Sequence, residues 1–181
     1  VRSASVADWD PQGQGLLVFT RFAQTAQIHR VARPQAYREQ ITFFDEPVND
    51  IVVNPDSSKN EMAILKDVGG NENYQIFLWN LSDGRCKMLT DGKARYGSVV
   101  WNNEGTKIAY QSTQRDGSNW DIWIMDPQHP EQAKMVYSPG GYWNVMDWSK
   151  QGDKLLLYKY VSITDSSMAV LDLASGKVTP I

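Results

Sequence analysis

The sequence predicts an all-β fold made of repeated four-stranded sheets, and three observations carry that expectation. The first is a Trp-headed segment that recurs along the chain. WDPQGQGLLVF at 9–19, WNNEGTKIAY at 101–110 and WSKQGDKLLLY at 148–158 each read as Trp, polar residues, a Gly turn and an apolar run ending in an aromatic. A weaker copy, VNPDSSKNEMAIL at 53–65, keeps the turn but has Val53 in place of the Trp. The heads fall at 9, 53, 101 and 148, so the units are offset by 44 to 48 residues, within the roughly 40 to 50 expected of four-stranded propeller blades.

The second observation is that IAY, LLLY and IWIM are apolar at successive positions, which requires burial on both faces of a strand. The third is that REQITFF at 38–44, RCKMLT at 85–90, AKMVY at 133–137 and GKVTPI at 176–181 alternate polar with apolar residues. A period of two gives one wet and one dry face. Doubly apolar strands belong between neighbouring sheets and alternating strands at an outer edge, which is the arrangement of a β-propeller blade. Four units fill the chain, so the expected fold is a partial β-propeller of about four blades from a larger protein.

Within each unit the first strand ends at the Trp and a Gly-containing turn leads to the second strand. A polar hairpin then leads to the third strand: AQIHRV at 26–31, YQIFLWN at 74–80, WDIWIMD at 120–126 and SMAVLD at 167–172. A last turn leads to the alternating fourth strand. The expected repeats are 4–47, 48–97, 98–143 and 144–181 of a single propeller segment, 1–181. In STQRDGSNWDIWIMD, residues 112–126, Asp116-Gly117 is the turn pair, because Gly accepts positive φ without a Cβ penalty. Its neighbours Arg115 and Asp121 are placed to pair with each other or to contact a ligand, the solvated turn being the plainer reading. No amphipathic helical pattern interrupts the series.

Composition narrows the function classes. At 181 residues the chain is long enough for a core without disulfides. A formal net charge of −3 leaves no basic footprint for nucleic acid. Cys86 is the only cysteine, which excludes an internal disulfide and a multi-cysteine zinc site. The apolar runs are only a few residues long, too short for a spanning helix, so a soluble protein of cytoplasm or periplasm is expected. Asp8, Asp10, Asp116 and Asp121 do not fall in a calcium-loop spacing, so no metal is expected, and no motif asks for a cofactor. The chain begins at Val1 without an initiator Met or a secretion signal, as a trimmed protein or an excised piece would. Asn80-Leu81-Ser82 fits a glycosylation sequon but adjoins a strand expected to be buried.

SVVWNNEGTKIAYQSTQRDGSNWDIWIMD at 98–126 resembles the WD40-like repeat of TolB-type propellers. LTDGKARYG at 89–97 and the run from Gly140 to Ile181 resemble the amino-terminal propeller of prolyl-oligopeptidase-type serine peptidases, family S9. The resemblance covers the whole chain. It implies a non-catalytic propeller that gates substrate access and shapes specificity for an α/β-hydrolase domain, with that domain and a peptide substrate as partners. The alternative implied is a TolB-like module for protein–protein interaction.

The chain itself is not expected to be an enzyme. No Ser is flanked as Gly-x-Ser-x-Gly, Ser82 and Ser138 having only the following Gly. His29 lies in an expected strand and His129 in the loop DPQHPEQ, neither beside a nucleophile signal. Asp45-Glu46, the only adjacent acidic pair, sits before Pro47 between units and does not match the paired glutamates of dipeptidyl-peptidase relatives. No catalytic residue is therefore expected. Candidate contacts for a peptide or partner are Arg95, Tyr96, Arg115, Tyr142 and Trp143, with packing between blades as the plainer reading for the aromatics. A ring interrupted after four blades leaves two apolar faces, so a compressed four-bladed ring or self-association through those faces is expected.

Overall fold

The computed structural model describes residues 3–13 and 15–181. The chain divides into two compact units, Val1–Gly92 and Lys93–Ile181, each holding two antiparallel four-stranded sheets whose strands pair in sequence order. The first sheet comprises β1 (Ala4–Trp9), β2 (Leu16–Thr20), β3 (Gln27–Val31) and β4 (Glu39–Gln40). The second comprises β5 (Val48–Val53), β6 (Glu61–Lys66), β7 (Gln75–Asn80) and β8 (Cys86–Met88). In the second unit the third sheet is β9 (Tyr96–Trp101), β10 (Ile108–Ser112), β11 (Asp121–Met125) and β12 (Lys134–Tyr137). The fourth is β13 (Tyr142–Trp148), β14 (Lys154–Ser162), β15 (Asp165–Asp172) and β16 (Val178–Pro180). A short 3-10 turn, Pro130–Gln132, lies between β11 and β12. The third and fourth sheets begin at Tyr96 and Tyr142, just ahead of the repeat starts expected at 98 and 144.

The Trp-headed turn is built the same way in three of the sheets. The residue after the Trp closes the hairpin with its N–H, Asp10 to Gly15 O, Asn102 to Lys107 O and Ser149 to Lys154 O, each at 2.9 Å. Its carbonyl takes back the N–H of Gly13, Gly105 or Gly152, whose φ of 69°, 61° and 70° a Cβ would disfavour. Its side-chain oxygen caps the loop, as when Asn102 Oδ1 accepts the N–H groups of Thr106 and Lys107. The second sheet's longer turn closes from Asn54 N–H to Glu61 O, with Asn60 at φ 50°. Gln14, in the first of these turns, lies outside the described residues.

Each unit has its own core. Leu17 and Ile28 of the first sheet meet Val48, Ile51, Met62, Ile64, Phe77 and Trp79 of the second. Ala109 and Ile122 of the third meet Trp143, Val145, Trp148, Leu155, Leu157 and Leu171 of the fourth. β10 is buried at every position, as its unbroken apolar run implies. LLLY at 155–158 departs from that expectation: Leu155 and Leu157 are fully buried, while Leu156 and Tyr158 are only half-buried. IWIM at 122–125 departs likewise, with Trp123 and Ile124 half-buried: successive apolar residues mark burial as favourable without fixing that both faces receive it in full.

The Trp heads differ in burial as well. Trp148 is 7% exposed and donates its indole N–H to Val100 O of the third sheet at 3.1 Å. Trp9, at the same place in the first sheet, is 65% exposed.

A side-chain clamp fastens the exit of the fourth strand in both sheets of the first unit. Thr42 Oγ1 donates to Gln27 Oε1 at 2.9 Å and accepts Ile28 N–H, and Phe44 N–H also donates to Gln27 Oε1. Thr90, Gln75, Ile76 and Gly92 repeat the pattern one sheet later. The clamp satisfies strand N–H groups after the regular ladder has ended.

Candidate functional site

The second unit gathers several of the residues singled out above at one end of its sheets. The β10–β11 connection turns as the Asp-Gly pair predicts. Gly117, at φ 77°, donates its N–H to Thr113 O at 2.7 Å. Asp116 Oδ1 accepts the N–H groups of Ser118 and Asn119 at 2.9 and 2.8 Å. The Asn119 amide on the Asp116 carboxylate, with those two N–H groups, holds that carboxyl down to about 2.

Arg115 is engaged by its own turn. Its Nε donates to Asp121 Oδ2 at 2.6 Å and its Nη2 to Asp121 Oδ1 at 3.1 Å, while Nη1 lies 3.0 Å from Asp116 Oδ2. The Asp121 side chain is fully buried, so the guanidinium fork supplies its counter-charge. Arg115→Ala is therefore expected to lower Tm clearly, and adding Asp121→Asn to recover most of the loss, because a buried carboxylate without a counter-charge is the costly species. Equal Tm values for the parent and Arg115→Ala in thermal melts would show the pair to be idle.

Beyond this turn, Trp120 bridges to the fourth sheet. Its N–H donates to Gly141 O at 2.9 Å, Gly141 N–H donates to Asn119 Oδ1 at 2.7 Å, and Trp120 pairs with Tyr142 in a short parallel bridge. Gly140 and Gly141, at φ 87° and 84°, let the chain enter β13 in this way. The result is a row of rings. Trp120 and Tyr142 lie 5.5 Å apart, Tyr142 and Tyr160 6.0 Å apart edge to face, and the Arg95 guanidinium sits 5.5 Å from the Trp120 ring centre. Gln111 Nε2 is 3.5 Å from the Tyr142 hydroxyl.

Of the five residues named from sequence, Arg95 and Tyr142 are exposed on this row, and Arg115 is committed to Asp121. Tyr96 is buried against Tyr110, with its hydroxyl 3.4 Å from Gln114 Oε1. Trp143 is buried edge-on to Tyr137, and its indole N–H donates to Gly140 O at 3.0 Å. Trp120 and Tyr160 complete the row: Tyr160 is the cross-strand partner of Tyr142 in the β13–β14 hairpin, in a register shifted by a bulge between Val145 and Asp147 that the sequence does not announce, and Trp120 reaches Tyr142 from the connection before β11.

This surface carries contacts suited to binding. Ring faces and edges offer large apolar area with polar tips, and a guanidinium stacked on Trp can also pair with a carboxylate. Among the described residues no group of three or more His, Cys, Asp or Glu is arranged to hold a metal. His129 Nδ1 lies 3.1 Å from Asp126 Oδ2 on an exposed loop, and His29 is buried in the first sheet. No helix among the described residues is long and apolar enough to cross a membrane.

No family model and no curated protein matches the chain by sequence. Solved structures do match it. TolB from Acinetobacter baumannii is 20% identical with a TM-score of 0.74, covering 99% of this chain and 43% of that one. The tricorn protease is 12% identical with a TM-score of 0.75, covering 98% of this chain and 22% of that one. A structure from work on two prolyl endopeptidases is 11% identical with a TM-score of 0.75, covering 99% and 29%. The chain thus spans less than half the length of each. At these identities the likeness is one of fold: the four sheets are β-propeller blades, similar to those of TolB and of the two peptidases.

Proposed function

We propose that this chain is a non-catalytic propeller segment that engages polypeptide through the Arg95, Trp120 and Tyr142 row, within a serine peptidase of the prolyl oligopeptidase type. The observation that carries the reading is the run of rings, half-buried at Trp120 and exposed at Tyr142 and Tyr160, capped by a guanidinium. It offers stacking area and a partner for a carboxylate. In this role the segment gates the approach of peptides to a separate α/β-hydrolase domain and shapes which of them enter. The likeness to peptidase propellers supports the reading. The likeness to TolB supports a second one, an interaction module for folded proteins, and self-association through the face that carries Trp9 is compatible with either.

The two readings differ in what binds. A gating segment takes short unstructured peptides, so Tyr142→Ala and Arg95→Ala are each expected to weaken binding of an acidic, aromatic-containing oligopeptide by about three- to tenfold, measured by fluorescence anisotropy. Binding of folded proteins alone, with no oligopeptide retained, would favour the interaction module. Labelling of the chain by a serine-directed phosphonate would overturn the non-catalytic assignment.

A further inference from the structure

Within each unit the two sheets meet in one way. Leu17 and Ile28, on the back of the first sheet, pack with Ile51 and Ile64 on the front of the second. Ala109 and Ile122, on the back of the third, pack with Val145 and Leu157 on the front of the fourth. Register makes these the same positions. Leu17 and Ala109 each follow the residue paired with a Trp head, Leu16 opposite Trp9 and Ile108 opposite Trp101, and Ile51 pairs with Ile64 as Val145 pairs with Leu157. In the second unit the indole N–H of Trp148 closes the seam on Val100 O, and Val100 is the residue paired with Ala109.

One front and one back lie open. On the first sheet Val6, paired with Val18 as Val145 is with Leu157, is 66% exposed, and Trp9, the counterpart of Trp148, is exposed to a like extent. Val18 and His29 of that front are already buried, with Phe22 edge-on to the His29 ring, so the open part is the β1 side. On the fourth sheet the counterparts of Ala109 and Ile122 are Leu156 and Met168, which pair with Asp147 and Tyr158 as Ala109 and Ile122 pair with Val100 and Gln111. Ala109 and Ile122 are fully buried, whereas Leu156 is half-buried and Met168 is 38% exposed. Asp147 O therefore stands where Val100 O stands one sheet earlier. Open apolar faces of this kind are costly in water, and these two are the unlike halves of a contact the chain already makes twice.

We propose that the front of the first sheet docks on the back of the fourth sheet of a second copy, head to tail, as the fourth sheet docks on the third within one chain. Trp9 enters the seam beside Leu156 and Met168 of the second copy, and its indole N–H donates to Asp147 O there. Because unlike faces meet, the contact is heterologous rather than two-fold symmetric. It forms with rising concentration and leaves Trp9 in water when the chain is dilute. It uses none of the Arg95 row and holds with either reading of that row.

Sedimentation equilibrium over a range of concentrations tests this. The mass of the parent chain is expected to rise from the monomer value as concentration rises. Trp9→Ala and Met168→Lys, one on each face, are each expected to weaken the association by roughly thirtyfold or more, as removal of a central anchor does. Both side chains are exposed in the single chain, so both variants are expected to keep the parent's dilute Tm; should either melt early, Val6→Lys and Met168→Gln take their places. Mixed in equal amounts, the two variants are expected to form a complex of one copy of each, since Trp9→Ala keeps an intact back and Met168→Lys an intact front. A parent that stays monomeric at millimolar concentration, an association that either variant leaves unchanged, or a mixture that forms no complex would overturn the assignment.

Discussion

Trp148→Ala is expected to destabilise the second unit by about 3 to 5 kcal/mol, the range for emptying a buried Trp site, and to lower Tm by roughly 10 °C. The residue fills the seam between the third and fourth sheets, among Ala109, Ile122 and Leu155, and its N–H is satisfied by Val100 O. Its removal therefore leaves a void at the seam. Trp9→Ala, at the same place in the repeat, is expected to cost less than about 1 kcal/mol, because most of that side chain is already in water. Denaturant titration of the two variants side by side gives the comparison. Similar losses would mean that the first sheet's outer face is covered in solution.

Glu46→Ala is the second large effect expected. Lys66 is buried, with its ammonium donating to Glu46 Oε2 at 2.9 Å and to Asp67 O at 2.8 Å, between the rings of Phe44 and Phe77. Glu46 Oε1 also accepts Gly69 N–H at 2.8 Å. Losing the carboxylate strands a buried cation, at a cost of about 2 to 3 kcal/mol, below the figure for fully enclosed pairs because Glu46 keeps some solvent contact. Lys66→Met is expected to cost much less, since an apolar chain suits the two rings and leaves only the partly solvated carboxylate.

The pH dependence has a definite sign. The Lys66 ammonium and then Gly69 N–H hold the Glu46 pKa at about 2, below its ordinary 4.5. A depressed carboxylate stabilises fully above 4.5, and that contribution fades as pH falls toward 2. The parent should therefore lose stability through this window, and Glu46→Ala should show a shallower loss there. Parallel curves for the two proteins would disprove the linkage.

How much could be read in advance differed with the range of the interaction. The Trp-headed turns, the Asp116-Gly117 hairpin and the doubly apolar β10 are local in sequence, so composition and period were enough. The outward face of LLLY could not be read, because an apolar run says that burial is favourable and not whether a neighbouring sheet provides it. Glu46 appeared only as half of an acidic pair, and its partner Lys66 lies across a sheet. The Gln27–Thr42 clamp carries no apolar signal at all. For the candidate site, Arg95 and Tyr142 are legible as residues of the connections beside Gly-containing turns, while their exposure, and the place of Tyr142 as the first residue of β13, are not. Trp120 reads as the start of a buried strand until its bridge to Tyr142 is seen.

The clamp has a consequence for behaviour at high concentration. A free sheet margin invites further strands, and long flat margins are templates for fibres. Here β4 has two residues and β8 three, and beyond them the N–H groups of Ile28 and Ile76 are already occupied by threonine hydroxyls. In the fourth sheet the marginal strand β16 ends in Pro180, which has no N–H to offer a newcomer. At the β4, β8 and β16 margins an incoming strand therefore finds little to pair with, so growth by strand addition is blunted there.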